Sequence, residues 1–429
     1  MDSINFSCQG ESHIAAGKVC QDYSYSKVYE NGNAIAIVCD GHGGKRYFRS
    51  DVGAKIAAEV TELKVLEFVA AVGSILEGQP FTQESAISTQ IDNHDFEKLN
   101  PIERAFRQLF SSIIFEWNTR VSAHAEATPI ADEEKLGLEE RWITEFAEGH
   151  NLEKVYGCTL IAYVSTPTVW FAFQIGDGKC FALNSKGKWC EPIPWDDRCF
   201  LNKTTSICDS GAIDEFRYCY CGNGNFPVVI ILGSDGIDDS FGAEVNQANF
   251  YVQILKSLVK EGLDKTIAEI ETTLPQLSKI GSQDDMSIAM AFNLAEVERL
   301  YPTMIEWQIE NVKGLIAEEN AKIEKANNIQ SSLEQVEHPT KQNMIDLQYA
   351  NADEKRAIEN RTKLQGRLDN LLKELNSENE VESSDELITN NEEPQQITDS
   401  SNDCNIEEIV ENPVIDSEEV QSDKTNKEE

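Results

Sequence analysis

Short apolar runs, bounded by turn residues, are interspersed with helical patterns in the first 298 residues. They are rich in aliphatic and aromatic side chains, and such runs bounded by Gly, Asp, Asn or Pro are typical of β-strands. The runs that predict strands are AIAIVCD (34–40), YGCTLIAYV (156–164), TVWFAFQI (168–175), KCFAL (179–183), PVVIILG (227–233) and MSIAMAF (286–292).

Apolar residues recur at helical spacing after the first of these strands and predict a helix that ends near Val69. Residues 78–99 are polar and predict a loop. Two amphipathic helices are predicted over 249–260 and 263–273. Helices near the front, strands in the middle and helices before a final strand do not alternate strictly, so the pattern favours an α+β domain with largely antiparallel sheets.

A helix start is predicted at Asn100, which precedes a proline and lies three residues before Glu103. Asn is a good capping residue, Pro fits the first helical position, and the glutamate completes a capping box. One face of this helix is apolar and is predicted to be buried: Phe106, Leu109, Ile113 and Trp117.

Residues 299–376 are charged and predicted to be helical. Aliphatic residues recur at alternating spacings of four and three, as in a coiled coil, in two runs separated by Pro339. The runs are Ile305, Ile309, Val312 and Ile316, then Leu364, Leu368, Leu371 and Leu375. The two helices could pack as a hairpin, or each could bind a second chain, so 299–376 is the predicted region for a protein partner or self-association.

Negative charge is concentrated at the end of the chain. The 429 residues include 75 acidic and 37 basic ones, a net charge of −38, and residues 377–429 hold 18 of the acids but only 2 lysines. This tail has no apolar periodicity and is predicted to be disordered, because it cannot bury enough apolar surface to offset its chain entropy. The acidic balance argues against a nucleic-acid partner, since phosphate backbones are bound by basic surface.

The sequence predicts a cytoplasmic protein with no membrane partner. No apolar run approaches the roughly 20 residues of a membrane helix, and the first residues, MDSINFSCQG, have neither the basic start nor the apolar core of a signal peptide. The eleven cysteines are scattered and form no C-x-x-C pair. That pattern favours free thiols in a reducing compartment over a disulfide framework or a zinc site.

Aspartates stand where several predicted strands end or begin. Asp40, Asp177 and Asp235 each follow an apolar run and precede a glycine, Asp284 comes just before the last strand, and Asp22 precedes another strand-like stretch. Repeated turn chemistry is one interpretation, since Asp-Gly is common in turns. If the sheets bring the carboxylates together, their repulsion is tolerable only around cations. Oxygen ligands without Cys or His suit Mg²⁺ or Mn²⁺.

Short motifs also occur in the order found in a known family: GESHIAAGKVCQDYS (10–24), VCDGHGG (38–44), YGCTL (156–160), IGDGKCF (175–181), LGSDGIDD (232–239) and SQDDMSIA (282–289). With them the chain, over about residues 1–295, resembles the metal-dependent Ser/Thr protein phosphatases of type 2C in their bacterial form. The resemblance implies a central antiparallel β-sandwich flanked by helices. The expected organisation is therefore a catalytic domain at 1–298, a helical, coiled-coil-like extension at 299–376 and an acidic disordered tail at 377–429.

The resemblance implies a binuclear Mg²⁺ or Mn²⁺ centre. Asp40 would bridge two ions, and the Gly41 carbonyl would bind one of them. Asp235 and Asp284 would complete the protein ligands of the other ion, and Asp22 would orient water in the outer shell. Water activated by such ions would attack phosphorus directly, so no cysteine nucleophile is required.

Other roles follow from the resemblance with some departures. Asp177 matches a position that helps to hold a third, weaker metal ion, and His42 would donate a proton to the leaving oxygen. Many relatives grip the substrate phosphate with an Arg that is missing here, and His13 or Lys18 are the candidates to replace it. Gln21 stands where many relatives have Glu, which removes one possible charged ligand.

Two functions remain open from the sequence. The first is a Mg²⁺- or Mn²⁺-dependent phosphatase that acts on phosphoserine and phosphothreonine in protein substrates. The second is a catalytically weak sensor or scaffold that binds a phosphoprotein through this fold and a partner through 299–376. Retention of Asp40, Asp235 and Asp284 favours the enzyme.

Overall fold

The computed structural model describes residues 1–85, 99–199 and 203–388, with side chains described as far as residue 378. The chain divides into two compact units, of which the first spans Met1–Glu298 and the second begins at Arg299. Within these ranges, none of the helices combines the length and the apolar character that a membrane crossing requires.

The first unit is built on two antiparallel sheets. Their strands are β1 (Asp2–Cys8), β2 (Tyr23–Val28), β3 (Ala34–Cys39), β4 (Thr82–Ser85), β5 (Leu160–Ser165), β6 (Trp170–Ile175), β7 (Lys179–Leu183), β8 (Trp189–Cys190), β9 (Arg217–Cys221), β10 (Val229–Gly233) and β11 (Met286–Phe292). One sheet has the order β1-β11-β10-β7-β8 and the other β2-β3-β5-β6-β9-β4. Neighbouring strands pair antiparallel throughout, which confirms the predicted α+β fold.

The strands are accompanied by helices. They are α1 (Glu11–Ala16), α2 (Ser50–Val72), α3 (Pro101–Ala127), α4 (Glu140–Ala147), α5 (Leu152–Val155), α6 (Asp235–Asp238), α7 (Glu244–Glu261), α8 (Leu263–Ile280) and α9 (Leu294–Arg299). Helices α2 and α3 pack on the six-stranded sheet, and α8 lies against β1 and β11.

The central strands are buried on both faces. Between the sheets, small and aliphatic side chains such as Ala36, Ile161 and Leu232 form one core cluster. On the other face of the six-stranded sheet, Phe106 of α3 packs on Phe171 of β6, with ring centroids 5.6 Å apart. Strands covered on both sides need apolar residues at every position rather than at alternate ones. This is why β3, β5, β6 and β10 read as continuous apolar runs.

The predicted helix start at Asn100 is confirmed. The Asn100 side chain accepts hydrogen bonds from the backbone N–H groups of Ile102 and Glu103, each at 2.9 Å, and Glu103 Oε2 accepts one from the Asn100 N–H at 3.0 Å. The predicted apolar face is buried: Phe106, Leu109, Ile113 and Trp117.

The predicted loop at 78–99 is wrong in part, because β4 lies within it. Within the described part of the chain, β4 is the edge strand of its sheet and pairs with β9 alone. Its residues, Thr82–Ser85, are polar, so the apolar signal of a buried strand is missing. The remainder of that prediction, residues 86–98, lies outside the described residues. β1 and β9 are also absent from the predicted strands, since polar residues and tyrosines interrupt their apolar pattern.

The second unit is a helical hairpin. Helices α10 (Tyr301–Glu334) and α11 (Lys341–Ile388) run antiparallel. Asn320 Oδ1 accepts a hydrogen bond from Arg361 at 3.2 Å, and Gln330 donates one to Glu354 at 2.8 Å. Of the two arrangements left open by the sequence, the structure shows the hairpin.

Helix α11 continues to Ile388, past residue 377 where the disordered tail is predicted to begin. The prediction fails at that boundary because residues 377–388 contain no glycine or proline to break the helix, and glutamate and leucine have favourable helix propensity. The rest of the predicted tail, 389–429, lies outside the described residues.

Candidate functional site

Carboxylates from both sheets meet at one end of the sandwich. Asp40 follows β3, Asp22 precedes β2, and Asp235 is the first residue of α6, directly after β10. Burial and the neighbouring charges, chiefly Asp285 for Asp22 and Asp235 for Asp40, raise the pKa values of both carboxyls well above their usual range. The charge of Asp235 adds to the raised pKa of Asp40, and burial raises the pKa of Asp235 itself to about 7.

Two more of the predicted aspartates, Asp177 and Asp284, contribute to the raised pKa values of this cluster. Asp177 lies between β6 and β7, and burial raises its pKa. Its charge contributes to the raised pKa values of Asp40 and Asp235, while the exposed Asp284 contributes to those of Asp22 and Asp235. The fold therefore brings the five predicted carboxylates within electrostatic reach of one another. The turn interpretation alone does not account for this convergence.

The donor set fits divalent cations. Asp22 Oδ2 is buried and accepts no hydrogen bond from the described residues, which leaves a carboxylate oxygen free to interact with a cation or its water. The converging side chains of Asp22, Asp40 and Asp235 offer oxygen atoms only, the ligand type that Mg²⁺ and Mn²⁺ prefer. A cation among these carboxylates would also relieve the repulsion that raises their pKa values.

Asp285, the neighbour of Asp284 just before β11, is a buried hydrogen-bond acceptor for which the sequence predicted no role of its own. Its Oδ1 accepts the Gly10 N–H at 2.6 Å, and its Oδ2 accepts the Gln21 N–H at 2.5 Å. His13 Nδ1 lies 2.9 Å from the same Oδ2. Burial alone would raise the pKa of Asp285, but the hydrogen bonds from His13 and the two amides lower it below its usual value. Asp285 thus ties the segment that carries Asp22 to the start of β11.

The contact with Asp285 places His13 next to Asp284. The hydrogen bond to Asp285 raises the pKa of His13, and the His13 Nε2 lies 3.9 Å from Asp284 Oδ1. His13, Asp284 and Asp285 also form a group whose ligand atoms lie close enough together to hold a metal ion. By contrast, Lys18, the other candidate for the missing Arg, donates to the Gly43 carbonyl at 2.9 Å.

The backbone around Asp40 is tightly packed. Residues 40–42 pair with 157–159: Gly41 and Cys158 form a bridge, the Thr159 N–H donates to the Asp40 carbonyl at 2.8 Å, and Thr159 Oγ1 accepts the Asp40 N–H. A Cβ on Gly41 would lie 2.4 Å from the Gln21 carbonyl oxygen. Glycine is therefore needed here for close backbone packing, while the predicted metal-binding role of the Gly41 carbonyl stays a prediction.

His42 is half-buried beside the cluster. Its Nε2 lies 2.7 Å from Ser206 Oγ, and its ring meets the Tyr47 ring edge-on with centroids 4.8 Å apart. Burial lowers the pKa of His42 to about 4, so its imidazole is neutral at pH 7. Gly157 permits this packing, because a Cβ there would lie 2.8 Å from His42 Cδ2.

Gln21, which replaces a glutamate of many relatives, supports the backbone. Its Nε2 donates to Ser50 Oγ at 2.5 Å and to the His42 carbonyl at 3.2 Å. Its Oε1 is buried and accepts no hydrogen bond from the described residues. The amide can thus donate to the carbonyl of the Asp-Gly-His turn, which a carboxylate could not do at neutral pH.

Comparison with known families decides the assignment. The family described as Protein phosphatase 2C matches residues 9–270. The chain belongs to the protein phosphatase 2C family. It is accordingly a serine/threonine protein phosphatase, and the matched range includes Asp22, Asp40, Asp177 and Asp235.

Solved structures with similarity to this chain include other phosphatases. A bacterial serine phosphatase is 16% identical over 68% of this chain and 97% of its own, with a TM-score of 0.37. The serine/threonine phosphatase Stp1 from Staphylococcus aureus is 15% identical over 68% and 95%, with a TM-score of 0.37. The catalytic domain of the phosphatase PstP, in complex with two manganese ions, is 13% identical over 67% and 96%, with a TM-score of 0.36. A comparison with curated proteins found no match.

Proposed function

We propose that this phosphatase hydrolyses phosphoserine and phosphothreonine in proteins at a binuclear Mg²⁺ or Mn²⁺ centre. The observation that supports the centre is the convergence of Asp22, Asp40 and Asp235. Their carboxyls come from both sheets, are held in a partly buried site, and have raised pKa values because of burial and mutual repulsion.

In this proposal Asp40 and the Gly41 carbonyl hold the ions together with Asp235 and Asp284, and Asp22 orients water beside them. When bound, two such ions polarise the phosphoryl oxygens and lower the pKa of a water that then serves as the nucleophile. Asp177 lies at the rim, where the sequence predicts a third and weaker ion. The same carboxylates exclude other anions from the unloaded site, since their charges would repel them.

His42 is the proposed proton donor to the leaving serine or threonine oxygen. Burial lowers its pKa to about 4, so proton donation requires that the negative charge of a bound phosphate favour the imidazolium form. His13 is the proposed replacement for the missing Arg. Its bond to Asp285 raises its pKa and favours a cationic ring next to Asp284, where it would attract a phosphate oxygen.

The proposal assigns residues 1–298 to the catalytic domain and 299–376 to a helical extension for a protein partner or self-association. Because α11 continues to Ile388, the acidic tail is proposed to begin after that residue. The ten cysteines of the described residues are all unpaired. Unpaired cysteines in this number are typical of a reducing compartment, and the proposed location is therefore the cytoplasm.

The test is phosphate release from a phosphoserine peptide with MnCl₂ or MgCl₂ and again with excess EDTA. We expect hydrolysis only with the added ion, and a loss of several orders of magnitude in Asp40→Ala, Asp235→Ala and Asp284→Ala. The matched control is Asp132→Ala, whose carboxylate lies on the surface against Lys135 and should not matter. Undiminished turnover in EDTA, or in Asp40→Ala, would contradict the proposed centre.

A further inference from the structure

Ser206 is a buried hydroxyl for which the proposed chemistry has so far no use. It is only 3% exposed. Its Oγ lies 2.7 Å from His42 Nε2 and 3.0 Å from the Cys158 carbonyl oxygen. The Cys208 N–H and its sulfur also approach the same hydroxyl, at 3.3 and 3.1 Å. Ser206 is therefore the side chain that links the His42 ring to the backbone of the site.

The segment that carries Ser206 is fixed at several points. Thr205 Oγ1 accepts the Gly176 N–H at 2.9 Å, next to Asp177. Asp209 Oδ2 accepts the Ser206 N–H at 3.0 Å, and the Ile207 N–H donates to the Cys158 carbonyl at 3.1 Å. The hydroxyl is consequently held in place by the backbone and does not depend on His42 for its position.

His42 is held on the same short stretch of chain. The His42 N–H donates to the Gly157 carbonyl at 3.1 Å, and Tyr47 closes one side of the ring. Both partners of the Ser206–His42 contact are thus anchored to residues 157–158. Their separation is set by the fold rather than by flexible side chains.

The other partners of Ser206 Oγ indicate the direction of its hydrogen bond with His42 Nε2. A carbonyl oxygen only accepts and a backbone N–H only donates. In the arrangement that uses the carbonyl, the amide and the ring together, Ser206 Oγ–H donates to the Cys158 carbonyl, and its lone pairs accept the Cys208 N–H and the His42 Nε2–H. His42 Nε2 then carries a hydrogen. Among the described residues, none hydrogen-bonds to His42 Nδ1.

We propose that Ser206 is a positioning residue that fixes His42 as the Nε2–H tautomer and leaves Nδ1 as the ring nitrogen that exchanges a proton during turnover. The tautomer rests on these contacts, whereas its kinetic consequence rests on the proposed function. Without the hydroxyl, both tautomers become accessible and the ring loses the contact that sets its orientation. The hydrogen-bond partner of a functional imidazole commonly selects its tautomer in this way.

The tautomer is tested by ¹⁵N NMR of histidine-labelled full-length protein at pH 7.5 in EDTA, with the His42 signals assigned from their loss in His42→Gln. We expect a protonated Nε2 and an unprotonated Nδ1 in the wild type, and a mixture in Ser206→Ala. Ser206→Thr keeps the hydroxyl and should keep the wild-type pattern. An Nδ1–H tautomer in the wild type overturns the proposal, even if Ser206→Ala does not fold.

The kinetic test uses the same variants with Mn²⁺. We expect Ser206→Ala to lower kcat on a phosphoserine peptide by about 10- to 100-fold, as for other residues that orient a functional imidazole, with KM nearly unchanged. The loss on nitrophenyl phosphate should be smaller, and Ser206→Thr should restore most of the activity. The matched control is Ser112→Ala, since among the described residues the Ser112 hydroxyl bonds only to the Leu109 carbonyl, within its own helix.

Three results for Ser206→Ala would overturn the positioning role of Ser206: equal losses of kcat on both substrates, a change in KM alone, or an unchanged His42 tautomer. If the wild type hydrolyses neither substrate, the proposed function fails, but the NMR result still decides the tautomer. The two failures are therefore distinguishable.

Discussion

Removing one charge from the carboxylate cluster should stabilise the metal-free protein while abolishing its activity. In Asp235→Asn the shape is nearly conserved and the charge is lost. The pKa of Asp235 is raised from 3.8 to about 7, mainly by burial. Because the folded-state pKa exceeds the unfolded-state value, the folded protein binds more protons between about pH 4 and pH 7, and stability falls as pH rises through that window.

The size of the effect follows from this shift. Three pKa units correspond to about 4 kcal/mol of destabilisation above pH 7, at about 1.4 kcal/mol per unit. The charge of Asp235 raises the pKa values of Asp22 and Asp40, and those carboxyls remain in the variant, so one substitution relieves only part of the repulsion. We therefore expect Asp235→Asn to gain about 1–2 kcal/mol at pH 7.5. Near pH 4, where both carboxyls are protonated, the gain should disappear.

The assay is urea unfolding followed by tryptophan fluorescence, in EDTA, at pH 7.5 and pH 4.5. Asp132→Asn changes a surface carboxylate and should leave the midpoint unchanged at both pH values. Added Mn²⁺ should reverse the order, because the wild type gains stability from the bound ion and the variant does not. If Asp235→Asn is less stable than the wild type at pH 7.5 in EDTA, the carboxylates do not repel each other and the argument for a cation site fails.

Other substitutions separate the remaining roles. His42→Ala should slow phosphoserine hydrolysis about 10²–10⁴-fold but slow the hydrolysis of nitrophenyl phosphate much less, because an alkoxide leaving group needs a proton and a nitrophenolate barely does. Equal losses of activity on the two substrates would mean that His42 only positions water. Asp177→Ala should reduce turnover while calorimetry still detects tight binding of the core ions; loss of all binding would contradict a rim position. A chain ending at residue 298 should keep its peptide turnover within a few-fold and change only its oligomeric state by light scattering; an insoluble product would place the helices in the catalytic core.

Much of the fold was predictable because its signals are local. Strands buried on both faces, such as β5 and β10, leave uninterrupted apolar runs. The capping box at Asn100 lies within four consecutive residues. Edge strand β4 leaves no such signal, since among the described residues it pairs on one side only, with β9, and its side chains are polar. The hydropathy pattern therefore indicates which strands are buried, and an exposed strand leaves no apolar run in the sequence.

The candidate site was predictable only where its residues repeat a local pattern. Asp40, Asp177 and Asp235 each precede a glycine at a turn, so the sequence marks them. Ser206 has no such mark, because its partner His42 lies 164 residues away and a serine in a polar stretch is unremarkable. The lowered pKa of His42 was equally hidden, since burial by distant segments causes it.

Asp284 and Asp285 are neighbours for which the structure predicts opposite outcomes. Asp284 is exposed, and its side chain accepts only the Asp285 N–H among the described residues. Asp284→Asn should therefore keep the stability of the metal-free protein but lose metal affinity. Asp285 is 3% exposed and accepts the N–H groups of Gly10 and Gln21, while His13 Nδ1 lies 2.9 Å from its Oδ2. An Asn there has one accepting oxygen, and its NH₂ would face a donor.

At least one buried N–H therefore loses its acceptor in Asp285→Asn, at a cost of about 1–3 kcal/mol. Because Gly10 and Gln21 flank the segment that positions His13 and Asp22, metal affinity should weaken as well, although Asp285 is not a proposed ligand. Urea unfolding in EDTA and Mn²⁺ calorimetry on both variants measure the two effects separately. If Asp285→Asn is as stable as Asp284→Asn, the hydrogen bonds of Asp285 do not hold the N-terminal segment to β11. The geometry of the site must then be maintained by the sheet pairing of β1 with β11 instead.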